Sequence, residues 1–396
     1  MHMPSQRIHK EMYSENASLW FTLANGGSET AILLKLPTTS LKSLMQGCRL
    51  EILFDRIAGY ICWCVRIYDA PEHPVAVTGV IRHPEEFDAL LRILSECSAP
   101  LFLYNEMDFC VAWSDVIFDH TATRKASVFL NEAPLISAVP FDAKTSSALD
   151  FFDSQLEQGH SENAQIISML ATVGPWTSAK IAVAGVNDLK RIDVSSEDEG
   201  YALEAITWSA LESVFPLSLH HSPKVTEGSK ERELIDIVAS YQFGAFLIEA
   251  KDLSVLRAKP QRTHSRRLAT LRSHISKAIG QLKAAAKSVQ EGVEVRTQDG
   301  NVIPLNREHP LHCIVLVTEF IEDDDWEQVF NELCDAWTER ECFFHVLDLR
   351  ELVTLLKIGK GRSTHFDYML MERAKVCIKH NTPHVRSRVA APASNQ

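Results

Sequence analysis

At 396 residues, with 45% hydrophobic and 23% charged residues, the chain has the make-up of a folded globular protein of two or three domains, not of a disordered or fibrous one. Its formal net charge of −12 argues against nucleic-acid binding spread over the whole surface, although the distribution of charge decides more than its total. No apolar run reaches the ~20 residues needed to span a bilayer, and the start lacks a charged-then-apolar signal pattern, so a cytoplasmic protein without membrane contact is expected. Nine cysteines with no CxxC pair speak against a disulfide framework and a zinc site alike.

The residues up to Ser14 are polar and aperiodic, and are expected to be mobile. From about residue 18 to 140, the runs "LWFTLA", "AILLKL", "LEILFDRI", "YICWCVRIYD", "PVAVTGVI", "PLFLYNE" and "FCVAWSDVIF" predict strands separated by turns. Cys62 and Cys64 fall in one of them and read as core residues. One helix interrupts the series at "PEEFDALLRILSECS", with Pro84 at its start and Phe87, Leu90, Leu91 and Leu94 at helical spacing. This is a separate, strand-rich α+β domain covering residues 1–185. It carries no chemical motif, which leaves recognition, regulation or assembly as its role. The polar stretch from Asp142 to Ala171 reads as a connecting arm.

The second domain, residues 186–396, has another rhythm. A helix is predicted from about Glu197 to Phe215, then strands near Pro216 to His221, Leu234 to Ser240 and Ala245 to Lys251. A long helix follows from about Arg266 to Gln290, then the strand "LHCIVLVTEF", a helix near Asp324 to Thr338, the strand "CFFHVLDL" and helices to about Lys379. Helix, three strands, helix, strand describes a mixed α/β sheet flanked by helices. The run "EDDDW", Glu322 to Trp326, reads as a helix N-terminus, where carboxylates favour the dipole. The tail from His380 onward is polar, and mobility is expected there too.

Within this second domain, "LIDIVAS" and "FLIEAKD" place Asp236, Glu249 and Lys251 inside apolar strand runs, where a charge is costly unless it is paired or binds a metal. Strand alternation sets Glu249 and Lys251 on one face, with Phe246, Ile248 and Ala250 on the other, and an antiparallel hairpin through "YQFGA" brings Asp236 beside Glu249. Ile235 and Ile237 are then expected to share the core face opposite the acids. Two carboxylates at close range raise each other's pKa unless a cation sits between them, and an all-oxygen site prefers Mg²⁺ or a similar hard ion. Glu204 falls within the helical stripe of Tyr201, Trp208, Leu211 and Phe215, which makes it a candidate on a buried face.

The next helix has an apolar seam through Leu268, Leu271, Ile275, Ala278, Leu282, Ala285 and Val289, flanked by Lys277, Gln281 and Lys283. From Lys251 to Lys287 there are ten Lys or Arg residues and a single acid, Asp252. Such a local basic segment suits phosphate contacts. His220 and His221 cannot act as a pair in a strand, because adjacent side chains point to opposite faces. "KIGKGRST" lacks the spacing of a phosphate-binding loop.

The order of Glu204 in "GYALEAITWSAL", Asp236 in "LIDIVAS" and Glu249-Ala250-Lys251 in "FLIEAKD" resembles the PD-(D/E)XK nuclease superfamily, over about residues 195 to 320. Ile235 stands where many members have proline. The resemblance implies a restriction-endonuclease-like fold and a nuclease dependent on Mg²⁺ or Mn²⁺. Asp236, Glu249, the Ala250 carbonyl and Glu204 would serve at the metal, Lys251 at the attacking water and Gln281 near the active centre. The partner implied is nucleic acid, DNA ahead of RNA, contacted by Arg257, Lys259, Arg262, Arg266, Arg267, Arg272 and Lys277, in a setting of restriction or anti-phage defence. A homodimer or a partner subunit would suit double-strand cleavage. The alternative is an inactive module of the same fold, in which Asp236, Glu249 and Lys251 form a structural ion cluster.

Overall fold

In a computed structural model, which describes residues 4–69, 74–137, 142–157, 165–185, 189–193, 199–251, 264–320 and 325–389, the apolar runs of the first half pair as strands. The elements in order are α1 Gln6–Ser14, β1 Ser18–Ala24, β2 Glu29–Lys35, α2 Thr38–Met45, β3 Leu50–Ile57, β4 Tyr60–Ile67 and β5 Val75–Val80. They continue with α3 Pro84–Glu96, β6 Ser98–Tyr104, β7 Cys110–Phe118, α4 His120–Phe129, α5 Ala143–Glu157, β8 Ile167–Val173 and β9 Thr177–Ser178. The sheet order β1-β2-β6-β7-β8-β3-β4-β5 makes a nearly closed, barrel-like mixed sheet, with β9 added beside β7. The turn from β3 to β4 uses Ala58 and Gly59, both at positive φ (51° and 89°), as a two-residue hairpin turn requires.

Two expectations fail in this half. From residue 4 onward the start is folded: Ser5 caps α1 through Ile8 N at 3.3 Å, and Ile8 and Met12 are buried with Trp20, Ala31, Leu33, Phe102 and Tyr104. Glu11 fixes the helix further, accepting from Trp20 Nε1 at 2.8 Å and Arg82 Nη2 at 3.3 Å. Nor is the stretch from 142 to 171 an arm. Helix α5 buries Ala148 and Phe152 against Leu53, Cys62 and Cys64, and β8 pairs with both β3 and β7. Alternation of buried Met169 and Ala171 with exposed neighbours is the short-period signal of that strand.

The chain divides into two compact units, the second comprising Ala182–Ile192 and Ser196–Val389. Its elements are β10 Ile181–Ala184, which begins one residue before that unit, β11 Leu189–Ile192, α6 Glu199–Glu212, β12 Leu219–His221, β13 Lys224–Glu227, β14 Lys230–Glu233, β15 Ile237–Tyr241 and β16 Gly244–Lys251. Then come α7 His264–Gln290, β17 Val295–Arg296, β18 His312–Val317, α8 Glu327–Arg340, β19 Phe343–Asp348, α9 Leu349–Gly359 and α10 Ser363–His380. The central sheet has the order β12-β15-β16-β18-β19. β12, β15 and β16 are antiparallel neighbours, and β16, β18 and β19 run parallel. Strands β13, β14 and β17 form a small separate sheet.

Both faces of the central sheet are covered. On one, the α7 seam Leu268, Leu271, Ile275, Ala278, Leu282, Ala285 and Val289 packs on Val238, Leu247, Cys313, Val315 and Phe344. On the other, Phe246 meets Phe215, Phe366 and the ring of His312 at centroid distances of 5.2, 5.1 and 5.2 Å. The tail up to Val389 is also ordered, contrary to expectation. Arg373 Nη2 holds the Pro383 carbonyl at 2.7 Å, Arg386 Nη1 holds Asp348 Oδ1 at 2.6 Å, and Ser387 Oγ donates to Glu351 Oε1 at 2.7 Å. Residues 390–396 lie outside the described residues.

Candidate active site

The hairpin β15–β16 turns through Gln242 and Phe243, since Tyr241 pairs with Gly244 and Ile237 with Ile248. Continuing that register by one residue puts Asp236 opposite Glu249. Asp236 itself is not in the strand, as the apolar run suggested, but in the bend that precedes it. Its carbonyl accepts from Ser222 N at 2.7 Å, and Ser222 has a left-handed backbone, φ 43°, uncommon for a residue with a side chain. Where the ladder stops, the Asp236 carboxylate takes the next N–H of β16, with Ala250 N donating to Oδ2 at 2.8 Å.

Glu249 is 3% exposed, and Lys251, 18% exposed, donates from Nζ to Glu249 Oε1. The three residues therefore form one charge cluster, with Glu249 buried and Asp236 and Lys251 half-buried, on the α7 side at the C-terminal end of β16. Open α/β sheets bind ligands at such strand ends. Burial and the Glu249 charge push the Asp236 carboxyl up to about 6, against the opposing pull of the Ala250 N–H and Lys251. The site differs from expectation in one packing detail: Ile235 belongs to the α7-side core with Val238 and Leu247, because the bend at Asp236 breaks the alternation. The acids do not occupy a bare face opposite a core. They terminate a strand buried on both sides.

Glu204 is not brought into this cluster. Its side chain is 51% exposed and its Oε1 lies 2.8 Å from His221 Nε2. The buried face of α6 runs through Ile206, Thr207, Ala210, Leu211 and Val214, so Glu204 and Trp208 sit on its margin. Gln281 is exposed, about 25 Å along α7 from its start at the usual helical rise. Lys277 is exposed, and Arg267 and Arg272 are half-buried. Arg272 donates to the Asp325 carbonyl and lies over the Trp326 ring at 5.7 Å. Arg257, Lys259 and Arg262 and the side chain of Arg266 lie outside the described residues.

Asp236 and Glu249 with the Ala250 carbonyl offer oxygen ligands of the kind a hard divalent cation takes. Among the described residues no group of three or more His, Cys, Asp or Glu side chains is placed to hold a metal. One polar residue of the same rim went unread in the sequence: Asp348, at the end of "CFFHVLDL". It is an acid closing an apolar strand, as Glu249 does near the end of β16. Comparison with protein-family models, with curated proteins and with solved structures finds no match to this chain.

Proposed function

We propose that the second unit is a metal-dependent nuclease of the PD-(D/E)XK type, hydrolysing phosphodiester bonds in DNA in preference to RNA. The observation that carries this reading is the meeting of Asp236, Glu249 and Lys251 at the end of β16, within the order α6, three antiparallel strands, α7 and a parallel strand. Asp236 and Glu249 would hold Mg²⁺ or Mn²⁺, with the Ala250 carbonyl as a third oxygen. The ion, when bound, supplies charge stabilisation at the phosphate and acidifies water. Lys251 holds an ammonium beside that position, suited to orient the attacking water. Burial of the cluster strengthens each of these interactions relative to bulk water. Restriction or anti-phage defence would suit a nuclease domain joined in one chain to a barrel-like one, and a second copy or partner subunit would supply the second cut in a duplex.

The bond from Lys251 to Glu249 and the turn of Glu204 toward His221 favour a second reading, a nucleic-acid-binding or protein-interaction module in which the trio is structural. Plasmid, linear duplex, single-stranded DNA and RNA, incubated with Mg²⁺, Mn²⁺ or chelator, separate the two. Cleavage that needs the metal and disappears in Asp236→Asn supports the nuclease. Cleavage surviving chelator or the substitution refutes the metal site, and binding without cleavage of any substrate favours the module.

A further inference from the structure

A second set of titratable side chains is buried on the other face of the central sheet, where Phe246 meets Phe215 and Phe366. His312 opens β18 and His345 lies on β19, each 1% exposed. His312 Nε2 is 2.6 Å from Asp367 Oδ1 on α10, and Nδ1 of the same ring is 3.1 Å from His345 Nε2. Tyr241, at the end of β15, donates its hydroxyl to the Asp367 carboxylate. Phe246 and Phe343 stack on the His312 ring at 5.2 and 5.0 Å. The chain from Tyr241 to His345 thus runs from a half-buried rim into the core.

The two rings have places for two protons and no more. A carboxylate only accepts, so His312 Nε2 carries the proton shared with Asp367, and one further proton lies between the rings. Both rings are then neutral. A third proton would have to sit on His345 Nδ1, which has no hydrogen-bond partner among the described residues, and a buried N–H without an acceptor is costly. A fourth would set two N–H groups face to face across 3.1 Å. The surroundings add to the resistance: burial, His312 and Arg373 on α10 hold the His345 pKa well below its usual value. Nothing else on this face relieves it. Glu351 on α9 is engaged by Arg373 at 3.7 Å and by Ser387, Cys377 on α10 takes Arg373 Nη1 at 3.6 Å, and Phe246 and Phe215 carry no charge.

Helix α10 supplies both charged neighbours of the histidines. It lies against β19 with Phe366, Leu370, Arg373, Ala374 and Cys377 buried, and Arg373 Nη2 donates to the carbonyl of Val346, next to His345, at 3.0 Å. We propose that His312 and His345, held by Asp367 and Tyr241, form a proton-sensitive latch that keeps α10 on the sheet near neutral pH and loosens it in mild acid. With α10 lifted, each ring can take up a proton below about pH 6.5, whereas the docked pair has room for neither. The docked state therefore loses stability as the pH falls. The latch faces away from α7, on the side of the sheet opposite Asp236, Glu249 and Lys251, and does not depend on the nuclease reading.

The test is native-state hydrogen exchange of the full chain between about pH 7.5 and 5, read as opening constants for amides of α10 and α7 after correction for intrinsic rates. Uptake of one to two protons per opening makes the α10 constant rise about tenfold to a hundredfold per pH unit below about pH 6. We expect that rise in wild type, with α10 opening at least about tenfold more often than α7 at the acid end. In His345→Gln the side-chain amide can donate to His312 Nδ1 or accept from it, so His312 is satisfied in either protonation state and the α10 profile should be flat. Wild-type α10 constants that stay flat, or that equal those of α7 at every pH, overturn the latch, as does a variant that keeps the rise. If His345→Gln does not fold, the wild-type comparison of α10 with α7 decides alone.

Discussion

Replacing Asp236 with asparagine reads the charge conflict at the strand ends without assuming any activity. The carboxyl is displaced from 3.8, usual for aspartate, to about 6, first by burial and then by Glu249. At about 1.4 kcal/mol per pH unit, this amounts to about 3 kcal/mol at most. Asp236 is partly open to solvent, and screening reduces the expected cost to about 1–2 kcal/mol. The folded chain keeps the proton to higher pH than the unfolded chain, so it binds more protons between pH 3.8 and about 6. Stability is therefore lost as pH rises through that window, and the full cost stands above it. The amide introduced by Asp236→Asn can still accept from Ala250 N but carries no charge. The variant should match wild type near pH 3.5 and exceed it at pH 7.5 by about 1–2 kcal/mol, or about 2–4 °C in Tm per kcal/mol for a unit of this size. Saturating Mg²⁺ should then raise wild type alone, by about 2.7 kcal/mol at a hundredfold excess over Kd. Chemical denaturation from pH 3.5 to 8 measures the first effect and thermal scans the second. An advantage for the variant that is absent, or that does not grow between pH 4 and 6.5, would show that Asp236 and Glu249 do not strain one another.

Lys251→Met leaves Glu249, 3% exposed, without its cation. It should cost about 3 kcal/mol of stability, recovered in part by Mg²⁺ and accompanied by loss of cleavage, as melting curves and plasmid assays will report. His345 is buried, and burial, His312 and Arg373 hold its pKa well below the usual value. The unfolded chain takes up that proton near pH 6.5 and the folded chain does not, so the stability His345 contributes is present above pH 6.5 and lost below it, at up to about 1.4 kcal/mol per pH unit. His345→Phe should flatten the acid limb of a stability curve, and an unchanged limb would refute the assignment. Met12→Ala, in α1, removes a fully buried side chain and should cost about 2–5 kcal/mol, measurable by denaturant unfolding. A neutral result would mean that α1 detaches freely.

The features legible in the sequence were those set by neighbours along the chain. The apolar runs "LEILFDRI" and "YICWCVRIYD", set off by turn residues, were enough to read β3 and β4, and the spacing from Leu268 to Val289 gave the buried seam of α7. Asp236 and Glu249 could be brought together on paper because a tight turn at Gln242 and Phe243 fixes the register between them. Glu204 failed for a local reason: of the stripe that suggested it, Leu211 and Phe215 are buried, but Glu204 and Trp208 lie at the margin of the face that α6 buries through Ile206, Thr207, Ala210 and Val214. The remaining misses share another cause. Helix α1 offers only Ile8, Met12 and Tyr13 as apolar side chains, and the C-terminal segment only Val385, Val389 and a few alanines, so neither shows a sustained hydrophobic period. What orders them is polar pairing with distant residues, Glu11 with Arg82 and His83, and Arg386 with Asp348. A buried carboxylate at a strand end is the one trace such pairing leaves in the sequence, because its burial demands a cation or donors from elsewhere. Asp236 was read by that rule and Asp348 obeys it equally. Applied to every acid that closes an apolar strand, it would have marked Asp348 as awaiting a basic partner before any fold was known.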